Sequence, residues 1–220
     1  MFPVVALVLG IGDKVLINTS GEITAYSIDR TEVSIGEFTS FEKAGGYTQD
    51  NLWSPEGLIW RKSHPNGAGA DLRRSQRTDD HPVVGISFFE AEAYCAWKGG
   101  QLPTNAQWTR AVCATTPFPW GASQEAPAAW YRDGKHGHIE SVATQPANQQ
   151  SPTLEGPHGL LHGAGNVWEW TVDRPIKGQS FRGLRGGSYA NLPSYCSCDS
   201  TTPALPTDTR LTTGVRCVYP

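Results

Sequence analysis

The amino-acid sequence predicts one globular domain in which short helices and short strands are separated by long irregular loops. Three observations predict it. The 220 residues contain no stretch that reads as a flexible linker, so one core and a single domain over residues 1–220 are expected. Gly and Pro together number 40, yet 38% apolar residues and eight Trp supply core material. Helical periodicity is confined to short blocks with caps at both ends, and the apolar segments around them are too short for anything but strands.

In chain order, "MFPVVALVLGIGDKVLI" has no basic segment ahead of its short apolar run, and Asp13 and Lys14 follow at once. It is read as a strand rather than a signal peptide or membrane span, with synthesis in the cytoplasm and the final location left open. Val15 to Asn18 and Ile23 to Ile28 are strand candidates. Thr31 or Ser34 can cap a helix through Glu37, Phe38 and Phe41 that stops at Gly45-Gly46. Tyr47 to Asp80 is read as loop, because Trp53 and Trp60 are spaced too irregularly for a helix face. Ser87 with Glu90 makes a capping box for a helix carrying Ala91, Tyr94, Cys95 and Lys98, which ends at Gly99-Gly100. A further helix starts at Thr104 with Trp108, Ala111 and Val112 inward. Beyond Pro117 loops and short strands are expected up to "GNVWEWTVD" (165–173) and the terminal strands.

The net charge of −3 and the lack of a Lys/Arg cluster argue against a nucleic-acid partner, which needs a basic stripe. Five cysteines, Cys95, Cys113, Cys196, Cys198 and Cys217, are an odd number without C-x-x-C spacing. They are read as buried free thiols rather than a disulfide framework or zinc site.

The blocks "IDRTEVSIGEF", "HPVVGISFFEAEAYCAWKGGQLPTNAQWTRAV", "PWG", "GNVWEW", "LRGGSY" and "GVRC" occur in order from Ile28 to Cys217. In this they resemble the formylglycine-generating enzyme (sulfatase-modifying factor) family. The resemblance implies a C-type-lectin-like α+β fold, with two helices packed on small antiparallel sheets and long irregular loops.

Fold does not settle activity. Family members that oxidise a substrate cysteine hold copper with two cysteines five residues apart after the GGS turn, thiolates being the soft ligands that Cu(I) prefers. Here Cys196 matches the second, whereas Asn191 stands in place of the first, and the basic residues that follow the second cysteine are missing. Cys198 is a conceivable substitute, but a C-x-C pair has a different reach. Relatives that handle thiols with non-haem iron carry its ligands in a separate helical domain, for which this chain has no room. His136 and His138 are read as solvated loop histidines. Asn166 and Glu169 could offer oxygens to calcium, although packing of Trp168 and Trp170 is the plainer role of their block. No catalytic residue, metal site or cofactor is therefore expected, and the chain is read as not an enzyme.

The segment from Tyr189 to Thr213 adds a second resemblance. Its 25 residues include no Lys, Glu, Gln, Trp or Met, although the other 195 contain 35 of them. Variable proteins of diversity-generating retroelements, which share this fold, have their last segment rewritten from a template with randomised adenines. Randomising the first two positions of an AAC or AAT codon yields every amino acid except those five. The 24 residues between "GGSY" and "GVR", and Pro206, also resemble the phage tropism determinants of that branch.

The resemblance implies variable, ligand-binding positions at Ser188, Ala190, Leu192, Ser194, Thr201, Pro203, Ala204, Asp208, Arg210, Thr212 and Thr213, in a variable region of about 188–213. In an extended segment, Ser188, Ala190, Leu192 and Ser194 would share one face, as would Asp208, Arg210 and Thr212. Tyr189, Tyr195, Pro206 and Val215 would be framework. The expected function is a non-catalytic receptor- or ligand-binding display protein, monomeric for want of any heptad, whose partner is a protein or cell-surface ligand. The alternative is an oxidase of the formylglycine-generating type acting on a peptide cysteine.

Overall fold

The helices begin where side chains satisfy the free N–H groups of the first turn. In the computed structural model, which describes residues 14–67, 78–122 and 156–220, α1 (Ile35–Lys43) starts at a capping box. The Glu37 amide donates to Ser34 Oγ at 3.2 Å, and the Ser34 amide donates to Glu37 Oε2 at 2.9 Å. The chain turns away at Gly45 (φ 76°), and Gly46 lies against the Phe41 ring, where a Cβ would come within 2.1 Å.

Between α1 and the next predicted helix stands α2 (Pro55–Ser63), in a stretch expected to be loop. Ser54 caps it and Pro55 occupies its first turn, both sequence-visible start signals. Only Gly57 and Trp60 are buried, one turn apart, so the apolar stripe is too narrow to show as periodicity. Trp60 packs on Phe89 of the following helix, with ring centroids 5.9 Å apart.

Two further helices fall where the sequence predicts them. α3 (Phe88–Trp97) begins at the Ser87–Glu90 capping box, and α4 (Asn105–Cys113) at a Thr104–Gln107 box. Each such cap stabilises its helix by about 1 kcal/mol. α1 and α3 share an aromatic cluster in which Tyr94 lies 5.5 Å from Phe38 and 5.9 Å from Phe41.

Two small sheets complete the described architecture. In one, β1 (Lys14–Ile17), β2 (Tyr26–Asp29) and β7 (Val218–Tyr219) are antiparallel, with Val15 opposite Ile28 and Ile28 opposite Val218. The other has the order β5-β4-β3-β6, from β3 (Trp168–Thr171), β4 (Arg182–Arg185), β5 (Thr202–Ala204) and β6 (Thr213–Gly214). Here β3 and β6 run parallel and the other pairs antiparallel. No residue of β3 is exposed, as its run "WEWT" requires.

The cysteines correct the sequence reading. Cys95 is bridged to Cys217 and Cys113 to Cys198, and only Cys196 is a free thiol. The odd count excluded complete pairing, not pairing. The bridged residues are 122 and 85 positions apart, a separation that local spacing cannot reveal. One bridge ties α3 to the approach of β7, and the other ties the end of α4 to the segment after β4.

Candidate functional site

Segment 188–213 hangs between β4 and β6 of one sheet. It begins at Gly186 and Gly187, with φ of 94° and 75°, where a side chain would be strained. Gly187 also admits Cys196, whose Sγ would be 2.7 Å from a Cβ there. Ser188 then closes a turn on Asn191: its amide and hydroxyl both donate to Asn191 Oδ1, at 3.1 and 2.6 Å, and the Asn191 amide donates to the Ser188 carbonyl at 3.0 Å. Leu192 leads into a 3₁₀ turn over Pro193–Cys196.

Residues 188–196 are therefore turns, not the extended chain expected. The alternation proposed for Ser188, Ala190, Leu192 and Ser194 fails because the Asn191 side chain and Pro193 favour turns over a sheet ladder.

The eleven sequence-predicted ligand positions separate by burial. Ala190, Leu192, Ser194, Pro203 and Arg210 are exposed, and Thr201, Asp208 and Thr212 half-buried. Ser188, Ala204 and Thr213 are buried and cannot meet a ligand from this surface. Among the residues assigned to the framework, Val215 is buried and Tyr189 and Pro206 half-buried, but Tyr195 is 45% exposed with its ring edge-on to Trp168. Of the six large hydrophobic residues exposed among the described residues, four lie in this segment: Leu192, Tyr195, Leu205 and Leu211. Leu205 and Leu211 are not among the positions that the resemblance implies; their signal in the sequence is three leucines among turn-forming residues.

Beneath the segment lies a buried ionic core. Arg216 and Glu169 pair at 2.7 Å, the Trp108 indole donates to Glu169 Oε2 at 2.6 Å, and Arg216 also donates to the carbonyls of Asp29 and Leu161. Asn166 Nδ2 donates to Glu32 Oε2 at 2.9 Å. Burial raises the Glu32 carboxyl well above its ordinary range, opposed by the attraction of Arg216. Glu169 and Asn166, the candidate calcium ligands, are thus engaged with protein partners.

A copper(I) pair does not fit these residues. Cys196 is fully buried and its thiol is pushed up to about 12 by desolvation. Asn191, at the other cysteine's position, offers an amide already used by Ser188, and Cys198 is consumed in a disulfide. Among the described residues, no group of three or more His, Cys, Asp or Glu is placed to hold a metal. His136 and His138 lie outside the described residues. No helix among the described residues is long and apolar enough to cross a membrane.

The paired small sheets, flanking helices and long loops are those of the C-type-lectin-like fold of the formylglycine-generating type. Treponema denticola variable protein 1 shares this fold, with a TM-score of 0.57 at 18% identity over 95% of this chain and 92% of that one. The sulfatase-modifying factor enzyme 1-like domain matches residues 13–220, and the chain belongs to that family.

Hercynine oxygenase of Mycolicibacterium smegmatis is 30% identical over 236 residues, covering 90% of this chain and 54% of that protein. The chain thus spans about half the length of that relative. The formylglycine-generating enzyme of Streptomyces coelicolor is 31% identical over 225 residues, 78% of this chain and 70% of that protein. These relatives overturn the expectation that the chain is not an enzyme, because both are named as enzymes.

Proposed function

We propose that the chain is a ligand-binding protein of this family, that it presents the surface of residues 188–213 to a protein or cell-surface ligand, and that this segment is diversified by a retroelement. One observation carries the reading. The segment that lacks Lys, Glu, Gln, Trp and Met is not a buried one: Ala190, Leu192, Ser194, Pro203, Thr207, Arg210 and Leu211 are all exposed. Lys, Glu and Gln are ordinary occupants of such positions, so burial does not account for their absence. A restriction at the level of codons does.

Exposed Leu192, Tyr195, Leu205 and Leu211 supply the apolar contact that binding surfaces use, and Arg210 and Asp208 supply polar contact around it. Ser188, Ala204 and Thr213 belong to the framework in this reading. Two disulfides support display in an oxidising compartment or on a particle surface.

Sequencing about 10 kb around the gene tests the proposal. A neighbouring repeat that differs from the 3′ end at adenines is the expected result; no repeat and no reverse transcriptase would sink diversification.

A second reading, an oxidase acting on a peptide cysteine, is favoured by the identity with named enzymes. Oxygen uptake with a cysteine peptide would support it, and no uptake by the wild type would remove it.

A further inference from the structure

A cleft of ≈ 510 Å³ opens beside α4, lined by Ser20, Asn105, Thr109, Arg110, Arg185 and Asp199 among others. Arg185, on β4, is 4% exposed. Its Nη1 donates to Thr201 Oγ1 at 2.6 Å, and its Nη2 donates to Thr109 Oγ1 and to the Cys198 carbonyl. All three acceptors are neutral. Its Nε is buried and makes no hydrogen bond, and its guanidinium lies over the Trp108 ring at 5.0 Å.

Arg110, on α4, repeats the pattern: its Nε is buried without a partner. Neither guanidinium forms an ion pair among the described residues, in contrast to Arg216, whose burial is matched by Glu169. Asn105 accepts a hydrogen bond from Thr171 at its Oδ1, and its amide NH₂ donates to no group among the described residues.

A buried arginine is ordinarily matched by a carboxylate, because taking an unpaired charge out of water is costly. At Arg185 the cost is visible: burial lowers its pKa, and only the more distant Asp199 and Asp173 oppose that shift. Two guanidinium groups without an ion pair among the described residues, beside hydroxyls and an amide NH₂, form the kind of donor set that recognises an oxyanion.

We propose that this cleft binds a small molecule bearing a phosphate, sulfate or carboxylate group, held by Arg185 and Arg110 with Asn105 and Thr109 beside them. The volume leaves room for an organic portion beyond the anion itself. Asp199, exposed at the same cleft, opposes a second negative charge and weakens rather than makes the site. The proposal is independent of the display reading, since simple ions test it without any display ligand.

Calorimetric titration of the full chain with inorganic phosphate, sulfate and acetate, at constant ionic strength set by chloride, decides it. Saturable binding of at least one is expected, and the preference between tetrahedral and planar ions identifies the group. Arg110→Gln, at a half-buried helix position whose side chain makes no hydrogen bond among the described residues, should keep the fold and weaken binding about tenfold. Asp199→Asn should tighten it about threefold by removing a like charge at the cleft. Arg185→Lys keeps the charge but loses the fork, and should also weaken binding if the protein folds. Absence of saturable binding by all three ions, or an Arg110→Gln affinity equal to that of the wild type, would overturn the assignment.

Discussion

Joint replacement of Cys113 and Cys198 by Ala should lower the stability of the protein by about 3.5 kcal/mol, a value that follows from how the two bridges share the chain. With Cys95–Cys217 closed, the denatured chain already contains a ring of 122 residues. The second bridge divides that ring into arms of 85 residues and the remaining 37. Two arms in parallel constrain the chain like a single loop of about 26 residues, for which the loop-entropy relation gives about 3.5 kcal/mol at 25 °C.

Lost packing of two buried sulfurs adds to this figure. With a urea m-value of about 2 kcal/mol/M, the midpoint should fall by roughly 1.7 M. Tryptophan fluorescence in urea reads the transition through eight Trp. A loss below about 1 kcal/mol would refute the reasoning, because it would mean that the denatured chain gains little freedom when the bridge is removed.

Other outcomes follow from single residues. Arg216→Met leaves Glu169 buried without its cation and should cost about 3–5 kcal/mol, measured in the same urea assay; a loss under 1 kcal/mol would contradict a tightly buried pair. Glu32 has a folded-state pKa raised by burial, so its contribution to stability is complete below the ordinary carboxylate value of 4.5 and is lost as pH rises through the raised one. Measured as a function of pH, the stability advantage of Glu32→Gln over the wild type should therefore grow above about pH 4.5; a constant difference would contradict the raised pKa. Cys196, with its thiol near 12, should resist an aromatic disulfide reagent at pH 8 in the native state and release one thiol equivalent when denatured. Arg210→Ala, at an exposed position paired only with Asp208, should change stability by less than about 0.5 kcal/mol, and unfolding of this variant would count against a tolerant display surface.

The helices whose caps show in sequence were legible: Ser34, one of two caps offered there with Thr31, the Ser87–Glu90 box and Thr104 each mark a start found in the structure. Helix α2 was not, because Trp60 buries against Phe89, a partner supplied by tertiary packing rather than by periodicity. The disulfides were hidden for a similar reason, since nothing near Cys113 in sequence points to Cys198. At the candidate site, the composition of 189–213 was readable, but the backbone path was not: an alternating strand was inferred where the Asn191 side chain and Pro193 set turns. Burial of Ser188, Ala204 and Thr213 followed from that path. The two arginines of the cleft carried no sequence signal, because their lack of an ion pair among the described residues is a matter of tertiary placement.

The proposed tolerance of the segment to side-chain change depends on what holds its backbone. The Phe88 amide at the start of α3 donates to the Pro206 carbonyl at 3.0 Å, the Gly85 amide to the Arg210 carbonyl at 3.1 Å, and the Trp168 amide to the Thr212 carbonyl at 2.8 Å. Each bond is made by a backbone carbonyl of the segment, a group that every residue carries and that no substitution removes. At its other end the chain is held by Cys198 in a disulfide, by the Cys198 carbonyl, which accepts from Arg185, and by the Cys198 amide, which donates to the Pro117 carbonyl at 2.8 Å. Exposed side chains at 190, 192, 194, 203, 210 and 211 take no part in these bonds beyond the surface pair of Arg210 with Asp208. A scaffold that secures a surface through main-chain groups and one covalent bridge separates the stability of the core from the identity of the surface. That separation is the physical condition for diversifying the surface, and it locates the exceptions: Ser188, whose hydroxyl closes the first turn on Asn191, and Thr201, whose hydroxyl accepts from the buried Arg185. Ser188→Ala and Thr201→Val should each destabilise the protein by about 1 kcal/mol through loss of a partly buried hydrogen bond, where changes at Ala190 or Leu192 leave it unaffected; equal tolerance at all four positions would show that the segment is not held in this way.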